Sequence, residues 1–177
     1  MEFNFKKKYD VLIRIDTDQL SIIKCETLFC PHQLGVGTPK STESGVHAIR
    51  AFVSSPKISN KVVLKIDYKN AFNCVNRIVI MEKVKEHVPH MYDYVYQCYA
   101  NKSSLYFGSQ DIINSREGGQ QGNPLGPFLF SHAINDLMKS WESLMNLWYL
   151  DDRTLGGPVT QVFQDNNKII EATSIWA

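Results

Sequence analysis

Three aspartates in two short contexts are the residues of this chain best placed to do chemistry: Asp67 in LKIDYKNAF, and Asp151 with Asp152 in LWYLDDRT. Each context ends an apolar stretch, where a strand gives way to a turn. Aspartate is common in turns because its side chain accepts bonds from nearby backbone amides, so either context alone reads as ordinary turn chemistry. Together they say more. If the two strands are neighbours in one sheet, the carboxylates of Asp67, Asp151 and Asp152 meet at one edge. Like charges that close do not all stay ionised without a cation. Mg²⁺ is the natural one, a hard ion held by one or two carboxylates and the phosphates of a substrate. A pair of such ions clamps an in-line displacement at phosphorus.

The elements that must position these groups are partly legible. Val62-Val-Leu-Lys-Ile-Asp-Tyr68 is the clearest strand, with Val62, Leu64, Ile66 and Tyr68 on one face and Val63, Lys65 and Asp67 on the other. Ahead of it, a turn-rich stretch over 32–40 leads to a helix through Val46, Ile49 and Phe52, capped by Ser41 or Thr42 and stopping before Pro56. Apolar spacing predicts helices over 77–87 and 90–100, and a hairpin whose arms, 104–107 and 111–114, flank Gly108 and Ser109. A long helix is expected from about Pro124 to Ser140, since Phe128, Leu129, His132, Ala133, Leu137 and Trp141 recur at helical spacing. A second hairpin turns at Asp151-Asp152 and leads to a terminal helix. This order predicts an α+β domain built on an antiparallel sheet.

Between the aspartates lies Gly118-Gly-Gln-Gln-Gly-Asn-Pro-Leu-Gly-Pro127. As loop chemistry, it marks a chain that bends before a helix. Its glycines would let backbone approach a nucleotide closely, and a glutamine can bond a base or ribose. A Walker-type phosphate loop is excluded, because no Gly-Lys-Ser/Thr follows.

On these residues the sequence resembles the reverse transcriptases of non-LTR retrotransposons and related retroelements. Asp67-Tyr-Lys-Asn-Ala-Phe72 is similar to that family's first catalytic motif, Gln121-Gly-Asn-Pro-Leu-Gly-Pro127 to its second, and Tyr149-Leu-Asp-Asp152 to its third. Upstream, Gln33-Leu-Gly-Val36 with Lys40-Ser-Thr42 resembles its fingers motif. The resemblance implies a right-hand polymerase palm with an antiparallel sheet and packed helices, plus part of the fingers: residues 1–60 as partial fingers and 61–177 as palm with fingers-side helices inserted, cut before the thumb. It implies that Asp67, Asp151 and Asp152 bind two Mg²⁺ ions and that Phe72 lies under the incoming sugar. Gln121 and Gly122 would contact nucleotide or template, and Tyr149 would support the hairpin near the primer end. The implied partners are an RNA or DNA template with its primer, and deoxynucleoside triphosphates. Two departures stand out: Gly37 replaces a frequent arginine of the fingers motif, and Arg153 follows the paired aspartates where glycine is favoured. Arg153 is expected either to disturb the metal site or to point to solvent.

Composition narrows the field less. The chain has 177 residues, 44% hydrophobic and 21% charged, which suits one globular domain or a piece of a larger one. A net charge of +1 by itself predicts no nucleic-acid partner, although a cleft can concentrate charge that the total hides. No apolar run approaches the ~20 residues of a membrane span. MEFNFKKKYD leads into no apolar segment of a signal peptide. With Cys25, Cys30, Cys74 and Cys98 unevenly spaced, free intracellular thiols are expected, and Cys25, Cys30 and His32 make only half a zinc site. His87, His90 and His132 read as surface or packing residues, Trp148 as packing, and Lys6-Lys7-Lys8 as a solvated run. An RNA-dependent RNA polymerase typically carries a second aspartate where Phe72 stands and glycine where Leu150 stands, so DNA synthesis is favoured. The rival of another class is a non-catalytic remnant, or a palm-like nucleic-acid-binding module of a decayed retroelement.

Overall fold

The computed structural model describes residues 29, 31–107, 111–120 and 122–173. Helix α1, Ser41–Ser54, starts one residue after a left-handed Lys40 (φ 52°) and has no side-chain cap. The expected caps, Ser41 or Thr42, are therefore the first two helical residues. Strand β1, Lys61–Asp67, follows. Its outward residues Val63, Lys65 and Asp67 are exposed while Val62, Leu64 and Ile66 are partly buried, the alternation that the sequence implies.

A single short turn of helix, α2 (Ala71–Cys74), leads into α3, Arg77–His87, where the Asn76 side chain accepts the Ile78 N–H as a cap. A 3₁₀ turn at Pro89–Met91 precedes α4, Tyr92–Tyr99. Strands β2 (Ser103–Phe107) and β3 (Asp111–Ser115) pair as a two-stranded hairpin. The expected long helix is two: α5, Gly126–Ala133, and α6, Asn135–Lys139, with Ile134 at φ −96°, ψ 0° between them. Asn123 delays its start, since that side chain accepts the Leu125 N–H in a turn. The break escapes detection by periodicity because the apolar positions stay in phase across one residue.

Strands β4 (Met145–Tyr149) and β5 (Asp152–Pro158) then join β1 in an antiparallel sheet of order β1-β5-β4, and α7, Val159–Thr173, closes the described fold. The inner sheet face (Leu64, Ile66, Leu155) meets Val162 and Ile169 of α7. A larger core gathers Val75, Ile80, Val84, Val95, Phe128 and Leu129 with Trp148. Each such buried side chain contributes about 1.5–3 kcal/mol relative to exposure. Asp165 ties α7 to the entry of β4, accepting bonds from the Ser143 N–H (2.8 Å) and hydroxyl (2.5 Å). Burial pushes the Asp165 carboxyl upward, but those two bonds, with Lys168 and Gln161, hold it below the usual range. The molecule is thus mixed helix and antiparallel sheet, the expected α+β class. Among the described residues no helix is long and apolar enough to cross a membrane.

Candidate active site

The sheet register sets Asp67 of β1 directly opposite Asp152 of β5, and Asp152 in turn opposite Tyr149 of β4. Opposed residues of antiparallel strands lie on the same face, with Cα atoms about 4.5–5.5 Å apart. Asp151 is the next residue in the chain, so its Cα lies within about 10 Å of that of Asp67. All three stand at the same end of the sheet. Asp67 is exposed, Asp151 and Asp152 are half-buried, and Tyr149 is exposed. Lys65, two residues before Asp67 on the same face, pairs with Asp152 at 3.1 Å. A cleft of about 520 Å³ between α1 and this face is lined by Val46, Ile49, Lys65, Tyr149, Asp152 and Thr154 among others.

The glycine-rich segment is anchored to α2 and α3. Gly118 has φ +70°, and a Cβ there would stand 2.2–2.5 Å from the Asn73 backbone. The close approach that this glycine permits is therefore to α2. Gly118 N–H donates to Val75 O (3.0 Å) and Gly119 N–H to Phe72 O (2.7 Å). Arg77, almost fully buried, donates through Nε to Gly118 O (2.9 Å) and through its terminal nitrogens to Ser115 and Glu117. The Tyr99 hydroxyl accepts from the Gln120 N–H (3.3 Å) and from Asn123 Nδ2 (2.9 Å). Sequence reasoning missed Arg77 and Tyr99, which look like ordinary helix residues. Gln121 lies outside the described residues. Gly122 is exposed, at φ +80°, with open space where a side chain would stand. The Phe72 ring is half-buried and stacks on Phe130, centroids 4.4 Å apart.

A family model described as "Reverse transcriptase (RNA-dependent DNA polymerase)" matches residues 7–176. The chain belongs to the reverse transcriptase family. Among solved structures, it is similar to apo telomerase from Candida tropicalis truncated from its C-terminal domain, with TM-score 0.64, 13% identity, and coverage of 99% of this chain and 41% of that one. A second telomerase structure from Candida tropicalis, in complex with a TWJ fragment of telomeric RNA, gives TM-score 0.60, 10% identity, and coverage of 97% and 34%. Telomerase from Candida albicans, also with a TWJ fragment of telomeric RNA, gives 0.55, 12%, and coverage of 80% and 29%. At these identities the likeness shows the shared fold. The chain spans about a third of the length of the solved structures it matches. No curated protein matches it.

Within this reverse transcriptase fold, Arg153 corrects the sequence expectation. Strand alternation turns it to the face opposite Asp152, so it neither sits beside the carboxylates nor reaches solvent. It is fully buried, its guanidinium over the rings of Trp141 (4.4 Å) and Trp148 (4.7 Å), and Trp148 stacks on Tyr68 at 5.8 Å. Burial pushes Arg153 down to about 10, opposed by the nearby Tyr68, which leaves it cationic at neutral pH. The histidines and cysteines singled out in the sequence also pack or lie elsewhere. His132 is buried among Phe29, Phe128 and His87, His90 is exposed, and Cys74 and Cys98 are free thiols. Cys25, Cys30 and the lysine run lie outside the described residues.

Among the described residues no three carboxylate, imidazole or thiol groups are gathered closely enough to hold a metal ion. The facing pair Asp67 and Asp152 nevertheless suits a hard divalent cation. Mg²⁺ asks the protein for only one or two carboxylates, with water and substrate phosphate completing six oxygens.

Proposed function

We propose that this chain carries the nucleotidyl-transfer centre of an RNA-directed DNA polymerase of the non-LTR retrotransposon type. Its substrates are deoxynucleoside triphosphates and the 3′-hydroxyl of a primer on an RNA or DNA template. The observation that carries the reading is Asp67 facing Asp152 across β1 and β5. Like charges directly opposite each other repel, and a hard divalent cation shared by the two carboxylates would offset that repulsion. Asp67, Asp151 and Asp152 are the residues that would hold two Mg²⁺ ions, and such a pair would supply activation of an attacking hydroxyl and charge stabilisation at the leaving oxygen. Lys65 is a weak competitor, because an exposed ion pair is worth about 0–1 kcal/mol. Phe72 excludes a ribose 2′-hydroxyl, Gln121 and Gly122 contact nucleotide or template, and Tyr149 supports the hairpin near the primer end.

The division into a fingers part, residues 1–60, and a palm, residues 61–177, belongs to the same proposal. Mn²⁺ titration of the purified protein, followed by electron paramagnetic resonance, tests it together with primer extension. Saturable Mn²⁺ binding that disappears in Asp67→Asn is the expected result. Binding of primer-template with no Mn²⁺ bound at millimolar concentration would instead identify a non-catalytic palm-like module.

A further inference from the structure

The turn that presents Asp151 and Asp152 starts from Leu150, whose φ is +56°. A residue with a Cβ occupies that left-handed region against a steric penalty, so something must hold it there. Leu150 lies between β4 and β5, beyond the ladder that would otherwise use its backbone groups. Both are taken by one side chain. Gln33 Oε1 accepts the Leu150 N–H at 2.8 Å, and Gln33 Nε2 donates to Leu150 O at 3.2 Å. The same Oε1 accepts the Gly35 N–H at 2.9 Å, and Nε2 also points at the Met138 sulfur, 3.6 Å away. Gln33 is fully buried.

The backbone around it is docked just as closely. Leu34 N–H donates to Trp148 O at 2.7 Å, and Trp148 N–H to His32 O at 2.8 Å, so the segment runs beside β4 as a parallel bridge. Gly35 completes the fit: a Cβ there would come within 2.7–2.8 Å of the Leu150 side chain and backbone nitrogen.

We propose that Gln33 is the positioning residue of the Asp151-Asp152 turn. A primary amide places a donor and an acceptor side by side, the pairing that a neighbouring strand would offer the N–H and C=O of one residue. Glutamate lacks the donor, methionine lacks both, and asparagine is one methylene too short to reach from the same backbone position. The Gln33-Leu-Gly segment thereby fixes the carboxylate-bearing turn from the side. What the carboxylates do rests on the function proposed above, whereas the hold on Leu150 does not.

The test uses Gln33→Met and Gly35→Ala in the full chain, with two readouts. Amide hydrogen exchange at Leu150 reads the clamp, and Mn²⁺ affinity reads the carboxylates. In Gln33→Met, exchange at Leu150 should accelerate at least tenfold beyond any change at Ile80 or Leu155, which report global opening. The Mn²⁺ dissociation constant should rise about tenfold. Gly35→Ala, which presses a methyl on the turn while leaving Gln33 in place, should move both readouts the same way, and it decides the matter if Gln33→Met does not fold. Unchanged exchange at Leu150 in a folded variant overturns the clamp. Faster exchange with unchanged Mn²⁺ affinity overturns the positioning role. Failure of the wild-type protein to bind Mn²⁺ overturns the metal reading, and the clamp then stands or falls on Leu150 exchange.

Discussion

Replacing Asp67 by asparagine removes a charge that faces Asp152 across the sheet. Relief of that repulsion should leave the fold as stable or more stable, by a few tenths of a kcal/mol. Incorporation and Mn²⁺ binding should be lost at the same time. Urea denaturation beside primer extension checks both halves, and a destabilised variant would mean that Asp67 serves the fold. Phe72 asks a different question, since its stack on Phe130 gives it a packing role whatever else it does. Phe72→Ala should cost about 2–3 kcal/mol, less than the ~3–5 of a fully buried ring, because one side of the ring is open. Single-nucleotide insertion should show the ratio of ribonucleotide to deoxyribonucleotide use rising, as steric exclusion predicts. Equal loss with both sugars would leave Phe72 as packing alone.

At the scale of elements, Arg77 ties α3 to the end of β3 and the glycine-rich segment through carbonyl and hydroxyl acceptors. Its guanidinium fork also lies over the Tyr99 ring at 5.4 Å. Arg77→Met should cost about 2–3 kcal/mol, because the buried carbonyls lose a charged donor. Arg77→Lys should recover little of it, since a point charge cannot reach the same set of acceptors. The urea midpoint should fall in both with the slope unchanged. A near-wild-type Arg77→Lys would show that charge, and not the fork, holds the segment. The alternation that displays Asp152 and hides Arg153 belongs to this scale too. A cation one residue from a carboxylate is far from it electrostatically when a strand turns the two to opposite faces.

Across the whole molecule, His132 couples folding to pH. Burial is the main cause that pushes its imidazole down to about 4 from 6.5, helped by the nearby charges of His87, Lys139 and Lys83. The folded state thus holds His132 neutral while the unfolded chain protonates it near 6.5. Stability from this group is complete above that pH and is lost as pH falls from about 6.5 towards 4, with no further loss from it below. The size is about 3 kcal/mol. His132→Phe, which keeps a ring among Phe29 and Phe128, should flatten the stability curve between pH 4 and 6.5. An unchanged slope would assign acid sensitivity to other groups.

What the sequence determined by itself was whatever is written in local order. The strand through Asp67 was legible because its alternation has period two, and the 77–87 helix because of its apolar spacing. The α+β class followed from the order of elements, and the family from four short motifs in series. Only the tertiary structure decided which residues meet. Nothing near Gln33 in the chain tells that its amide grips Leu150, 117 residues away. Nothing near Arg77 names Gly118 as its acceptor, and nothing beside Gly118 shows that the backbone it must approach is that of Asn73. Arg153 shows the limit most plainly. Its type predicts solvent or a disturbed metal site, and only the register of β5 against β1 and β4, with Trp141 and Trp148 waiting on the buried face, sends it inward. Local periodicity is a property of consecutive residues, whereas a hydrogen bond or a stacked ring belongs to pairs that only the folded chain brings together.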